Sequence, residues 1–374
     1  MSGLSLRILG IRGVPAAHGG FETFAERLAP YLVERGWRVT VYCQEDGDGP
    51  VLRDTWQGVH RVRIPVRLGG APGTVLFDWL SIQDAARAGE PCLTLGYNTA
   101  LLCARLRVAG VVNVINMDGI EWQRAKYGPL ARAWLRLNER AGAWFGQHLV
   151  ADHPEIARHL SALASAERIT TIPYGADPVT QASPEPVRAL GLEPGRYLTL
   201  IARPEPENGI LEVVRAFSAR SRAVELAVLG CYDPGHAYHE AVRAAAGAQV
   251  RFLGAIYDTQ VVQALRQHAF AHIHGHRVGG TNPSLVEALG AGNAVLADDN
   301  RFNRWVAGAG ALYYADEAAF DTLLQRLQDD RATLEALRQA ARSRFSDAFD
   351  WPRILEAYEN LLGRFAGSGK LIGS

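Results

Sequence analysis

Two glycines, two candidate N-caps and a proline, in the order Gly279-Gly280-Thr281-Asn282-Pro283, open a segment that continues Ser284-Leu-Val-Glu287-Ala-Leu-Gly290. Glycine lets a backbone approach a ligand closely, Thr and Asn cap helices, and proline suits the first helical position. The first amides of such a helix carry partial positive charge and favour an anion, phosphate above all. Glu287, one turn inside, is an acceptor able to hold a pair of hydroxyls. Phosphate donors beside a hydroxyl-binding carboxylate describe a pocket for a nucleotide sugar.

Other groups recur at the ends of strand-like runs. Gly10, Gly13, Gly19 and Gly20 line the turn after the first run. They do not spell G-x-G-x-x-G, and no acid clearly closes a first β-α-β unit, so a dinucleotide site is disfavoured. A tight strand-to-helix turn explains them equally well. Asn116-Met-Asp118-Gly-Ile-Glu121-Trp122 and Arg203 stand where doubly wound sheets keep ligands, past the carboxyl end of a strand. The plain alternatives are a helix cap and a solvated arginine. His272, His274 and His276 share one strand face, but no carboxylate or cysteine partner is evident, and no metal is expected. Arg132, Arg136 and Arg140 recur every four residues. They follow Arg124 and Lys126, with Trp122, Tyr127 and Trp134 interleaved, so 124–140 carries a basic helical stripe. That stripe is either a solvated face or a contact for anionic lipid or a pyrophosphate-linked acceptor.

The elements that must position these groups alternate, short apolar runs with helical patterns, as in parallel sheets covered by helices. Strands are expected at Leu6–Ile11, Arg38–Tyr42, Arg61–Pro65, Cys92–Leu95, Val111–Ile115 and His148–Val150. A second series follows at Tyr197–Ile201, Glu225–Leu229, Val250–Leu253, Phe270–His274 and Ala294–Ala297. A helix from about Phe21 contains Pro30, where a kink or restart is expected, and Gly36 is its candidate C-cap. Prolines crowd residues 173–195, which read as a linker. The expected domains are 1–178, joined by a crossing helix at 350–366, and 179–349, with a flexible tail at 367–374.

At 374 residues, 48% hydrophobic and 21% charged, the chain is long enough for two full cores. Net charge is zero, which disfavours nucleic acid as a partner. Residues 1–150 hold 17 basic against 13 acidic residues, a modest excess. Lys126 and Lys370 are the only lysines, so a phosphate-binding cation here is an arginine. Four scattered cysteines without a C-x-x-C fit a reducing cytosol. Arg7 and Arg12 interrupt the N-terminal apolar run, so no signal peptide is read, and no apolar stretch is long enough to span a bilayer. A cytoplasmic protein, peripheral at most on the inner face of the membrane, is the expectation.

Gly10-Ile-Arg-Gly-Val-Pro with His18-Gly-Gly-Phe-Glu22, Asn116–Trp122, Ala202-Arg-Pro-Glu-Pro-Glu-Asn-Gly209 and the 278–290 segment, in this order and spacing, resemble the retaining glycosyltransferases of family 4. More narrowly, the chain looks like bacterial rhamnosyltransferase-type members that build surface polysaccharides. The resemblance implies the GT-B fold, an α/β architecture of two Rossmann-like parallel-sheet domains facing a cleft, with the C-terminal helix crossing back to the first. It implies metal-independent transfer of a hexosyl group, L-rhamnose from dTDP-rhamnose being favoured, to a saccharide or polyprenyl-diphosphate-linked acceptor, with no cofactor.

By the same resemblance, Gly19 and Gly20 approach the donor phosphates or the acceptor. Asp118 stands at or near a family histidine that contacts the transferred sugar; Asp118, Glu121 and Arg203 are the catalytic candidates. For Asp118 three roles stay open: orienting the acceptor hydroxyl, accepting its proton, or stabilising charge at the anomeric carbon. Arg203 matches an arginine on the diphosphate, but Asn208 replaces the lysine expected nearby. Glu287 matches the second of two glutamates eight residues apart, the one on the ribose. Gly279 stands where the first would be, leaving Gly280, Thr281 and Asn282 as substitutes. Ser284 completes the donor-binding set. Two other classes remain open: a nucleotide-sugar epimerase on the same fold, and a non-catalytic sugar-binding protein.

Overall fold

Mostly apolar, β-branched runs of three to nine residues become the strands, and the amphipathic stretches between them become helices. The computed structural model describes residues 3–17, 19–124 and 126–366; the tail expected at 367–374 lies outside them. Two compact units result. The first holds residues up to Trp122, Tyr127–Pro173 and the helix Trp351–Ala366; the second holds Gln123–Lys126 and Tyr174–Asp350. The division falls after Pro173 rather than after 178. The reason is local: Ala176 donates its N–H to Phe349 O at 2.9 Å, and Val179 to Gly290 O at 3.0 Å, which ties this stretch to the second unit.

The first unit is built on β1 (Ser5–Leu9), β2 (Arg38–Asp46), β3 (Leu52–Trp56), β4 (Val59–Val66), β5 (Cys92–Leu95), β6 (Asn113–Asn116), β7 (His148–Ala151) and β8 (Ile169–Thr171). Their order is β3-β4-β2-β1-β5-β6-β7-β8, with every pair parallel except the β3–β4 hairpin. That hairpin turns at Gln57-Gly58, both at positive φ (46° and 78°), as a two-residue loop between right-twisted strands requires. The helix after β1, Gly20–Glu34, runs through Pro30 without a restart. Burial of Phe24, Ala25, Leu28, Ala29 and Leu32 offsets the backbone hydrogen bond that proline forfeits. Gly36, at φ 83°, follows the C-cap and donates to Val33 O at 2.9 Å.

The C-terminal helix Trp351–Ala366 packs within this first unit. It buries Trp351, Ile354, Leu355, Tyr358, Leu361 and Leu362, spaced three to four apart on one face. Tyr358 lies on Phe24 with ring centroids 4.5 Å apart, and Glu359 accepts from Tyr31 Oη at 3.0 Å and pairs with Arg35 at 3.0 Å.

The second unit is a wholly parallel sheet of β9 (Tyr197–Ile201), β10 (Glu225–Leu229), β11 (Val250–Gly254), β12 (Ala271–His274), β13 (Val295–Asp298) and β14 (Ala311–Tyr314). Its order is β11-β10-β9-β12-β13-β14, with sequence order reversing between β9 and β12. Both faces are covered. Leu198, Leu200 and Leu226 pack with Val213, Phe217 and Phe320 on one side. Val295 and Ala297 pack with Leu285, Leu289, Phe345 and Phe349 on the other. Each unit is Rossmann-like, and each brings its candidate residues past the carboxyl ends of parallel strands.

Candidate active site

In the second unit the site begins where β9 and β12 end, at the switch point where doubly wound sheets open a crevice. Two loops meet there so closely that only glycines fit. A Cβ on Gly209, already at φ 64°, would lie 2.7 Å from Gly275 O. Arg203, exposed, leaves β9 two residues past its end. Asn208, the residue in place of the expected lysine, is buried and donates through Nδ2 to Arg203 O at 2.8 Å. It therefore holds the arginine's loop instead of offering a second cation.

A second arginine stands near this corner. Arg124, read in sequence as part of a basic stripe, groups with this unit and pairs with Glu207 at 3.9 Å. Burial, with Arg124 and Arg203 close by, pushes the His276 imidazolium down to about 3, so His276 is neutral in an electropositive corner. His272 and His274 are also held neutral, chiefly by burial. His272 Nδ1 meets Thr199 Oγ1 at 3.0 Å, whereas the His274 and His276 rings stack nearly parallel with centroids 4.3 Å apart. Stacked rings present faces rather than converging lone pairs. Among the described residues no group of three or more His, Cys, Asp or Glu could hold a metal.

Asn282 caps the helix Pro283–Gly290, its Oδ1 accepting from Ser284 N–H at 3.0 Å. Its carbonyl takes the next two amides, Leu285 at 3.1 Å and Val286 at 3.2 Å. The first-turn donors are thus spent inside the protein, and an anion must be met by the glycine turn ahead of the helix. Gly279 has the extended positive φ of 139° that such a turn needs, and Gly280 and the buried Thr281 follow. Ser284 Oγ donates to Ile201 O at 2.9 Å, which fixes the start of the helix to the end of β9.

Glu287 is half-exposed and pairs at 2.5 Å with Arg266, whose side chain is only 6% exposed. Arg266 had no signal in the sequence. It lies in the last turn of the helix Thr259–Gln267, where a basic residue ordinarily complements the helix dipole, and its partner is distant along the chain.

In the first unit, Gly10 sits at φ 82°, and a Cβ there would strike Leu95 O. Gly19, at φ 86°, precedes the helix that Gly20 opens, and the Glu22 carboxylate fills the space a Gly19 side chain would need. Glu22 Oε1 accepts from Arg12 N–H at 3.1 Å. Beside this loop lies a cavity of about 380 Å³ lined by Arg12, Glu22, Gln44, Asp46, Arg61 and Arg63 among others. Gly19 and Gly20 therefore belong to the first unit, while Arg203 and Gly280–Glu287 belong to the second.

Asp118 follows β6 in the left-handed region, at φ 53°, a conformation that costs a non-glycine residue of order 1–3 kcal/mol. Its N–H donates to Asn116 Oδ1 at 2.9 Å. Glu121 is buried, and its N–H donates to Gly119 O at 3.0 Å and to Tyr97 Oη at 2.8 Å. The helix Pro129–Phe145 does present Arg132, Arg136 and Arg140 outward, with Leu130 (88% exposed), Leu137 and Trp144 (74%) beside them.

These two units match known proteins. Residues 19–175 match the family model described as a glycosyl transferase 4-like domain, and residues 211–360 match one described as glycosyl transferase-like. The chain is similar to a sucrose-phosphate synthase from Thermosynechococcus elongatus (18% identity, 98% of this chain and 100% of that one, TM-score 0.81). It is similar to Anabaena Alr3699/HepE in complex with UDP (14%, 96% and 100%, 0.74). It is also similar to a structure described as trehalose-6-phosphate from E. coli bound with UDP-2-fluoro glucose (12%, 96% and 98%, 0.73). No curated protein matches the sequence. The fold is GT-B. With a glycosyltransferase domain in each half, the chain is a glycosyltransferase of the GT-B type.

Proposed function

We propose that this protein transfers a hexosyl group from a nucleoside-diphosphate sugar to a saccharide or lipid-linked acceptor, with retention at the anomeric carbon. One observation carries the reading. Arg203 and Arg124 lie close to His276, and the Gly279-Gly280 turn and a carboxylate held by Arg266 belong to the same unit. Two guanidiniums and turn amides suit a diphosphate; Glu287 suits the ribose diol. The Anabaena structures with UDP and with UDP-glucose support a nucleotide-sugar donor. The arginines offset charge on the departing diphosphate without a metal ion. Asp118, strained at the end of β6, serves the reacting sugar and Glu121 supports its loop, while the first unit's cavity beside Gly19 and Gly20 takes the acceptor.

L-rhamnose from dTDP-rhamnose is the donor we favour. That preference follows the resemblance to rhamnosyltransferase-type members. The helix Pro129–Phe145 docks on an anionic membrane surface, since its arginines stand beside exposed Leu130, Leu137 and Trp144. Among the described residues no helix is long and apolar enough to cross a membrane.

A thermal-shift panel of dTDP-, UDP- and GDP-sugars tests the donor site. A ligand at 100 times its Kd stabilises by about 2.7 kcal/mol, which reads as several degrees. We expect one nucleotide class to give that shift, and Arg203→Ala to abolish it. If no nucleotide stabilises the wild-type protein, the proposal fails; if dTDP-rhamnose is inert but UDP-glucose binds, only the rhamnose assignment fails.

A further inference from the structure

We infer that Tyr358, on the C-terminal helix, is a positioning residue for glycosyl transfer, holding the Asp118 backbone in place through Asn116. The inference rests on the role proposed above for Asp118. Asn116 ends β6, 5% exposed, with its own carbonyl taken by Gly96 N–H at 3.0 Å. Its side chain spans two partners. Asp118 N–H can only donate, so Asn116 Oδ1 faces it, at 2.9 Å. Nδ2 is thereby turned the other way and donates to Tyr358 Oη at 2.7 Å. The amide orientation is therefore set by chemistry at both ends: without the tyrosine oxygen, a buried NH₂ has lost its acceptor, and only the Asp118 N–H still holds the amide in place.

That hydrogen bond matters because Asp118 sits at φ 53°, where a residue with a side chain stays only if its surroundings hold it. Met117, the residue between, is already fixed by its N–H bond to Val150 O at 2.8 Å, so the turn into the left-handed region falls on Asp118 itself. Tyr358 is rigid in turn. It is 2% exposed, its ring rests on Phe24 at 4.5 Å, and the next residue, Glu359, is anchored by Tyr31 and Arg35. Through Tyr358 the C-terminal helix thus contacts Asn116, the residue that accepts from the Asp118 amide.

Tyr358→Phe keeps the ring and removes only the acceptor. With the donor selected by the thermal-shift panel, we expect kcat to fall about tenfold, the worth of one buried hydrogen bond, and donor KM to stay within about twofold. Hydrogen exchange of the Asp118 amide should quicken while that of β6 stays slow. Leu160→Ala, a buried residue elsewhere in the first unit, is the control for mere loss of packing: it should lower Tm and spare kcat. Wild-type kcat together with wild-type protection of Asp118 in Tyr358→Phe overturns the inference, as does an equal kcat loss in Leu160→Ala. Asp118→Asn separates the two levels. Full activity there removes the role on which the inference rests, whereas an inactive Asp118→Asn beside a fully active Tyr358→Phe removes the inference alone.

Discussion

Glu287 gives the sharpest test of the donor site, provided that its partner is respected. Truncation to alanine would strand Arg266, whose side chain is 6% exposed, and an uncompensated buried charge costs about 3–5 kcal/mol. Loss of activity in that variant would then report damage to the fold as readily as loss of a ribose contact. Glu287→Gln lessens this, because the amide oxygen still accepts from the guanidinium across the 2.5 Å contact although the charge pairing is lost, so Tm is measured beside the kinetics. What it removes is the charge facing the diol. A charge-assisted hydrogen bond is worth about 1.5–3 kcal/mol and a neutral one about 1.

Weakening two hydroxyl contacts therefore costs about 1–4 kcal/mol, a rise of about 5- to 700-fold in donor KM. The ribose lies away from the reacting carbon and is bound alike in ground and transition states, so kcat should stay within about threefold. Arg266→Met should raise KM less, because Glu287 survives, half in solvent, having lost only its orientation. The double variant should fall short of the product of the two, since both changes act on one contact. Steady-state kinetics with saturating acceptor decides the matter. A Glu287→Gln enzyme with donor KM within twofold of wild type, or with its whole loss in kcat, refutes the ribose assignment.

Two further outcomes follow from geometry elsewhere in the first unit. Asp78 is 7% exposed, and burial raises its carboxyl from 3.8 to about 6 although Thr99 Oγ1 donates to it at 2.7 Å. A raised acid binds its proton more tightly in the folded state, so this contribution to stability is largest below about pH 4 and is lost as pH climbs to about 6. The loss is about 3 kcal/mol at most, so Asp78→Asn should gain on wild type between pH 4 and pH 7 by up to that amount in denaturant melts; parallel pH profiles would contradict the burial argument. On the outer face of the helix Pro129–Phe145, Leu137→Ser with Trp144→Ser should weaken flotation with vesicles containing anionic phosphatidylglycerol about tenfold or more, leaving Tm unchanged. Equal flotation, or none by the wild-type protein, removes the membrane assignment.

The elements legible in the chain were those whose signal is local and apolar. Cys92–Leu95, Tyr197–Ile201 and Glu225–Leu229 form the strands read for them, residue for residue, because a parallel strand buried on both faces is a continuous apolar run. Leu52-Arg-Asp-Thr-Trp56 went unread: as the antiparallel edge of its sheet it is largely solvent-facing and carries polar residues. Ile169–Thr171 and Ala311–Tyr314, at the other edges, are too short to show a period. Pro30 misled for the opposite reason, since a local penalty was outweighed by a buried face that only the fold reveals.

The candidate site divides along the same line. Asn282 as a cap, and the glycines at positive φ, are written within a few residues of where they act. Arg266 and Arg124 are not, because what makes them more than surface charges is a partner elsewhere in the chain: Glu287 for one, Glu207 and His276 for the other. Asp118 is the intermediate case. Its type and place after a strand were visible, yet its left-handed backbone was not, since sequence announces positive φ only through glycine. The missing lysine at 208 could be noticed in the chain, but not that Arg124, from a segment contiguous in sequence with the first unit, groups with the second and pairs there with Glu207.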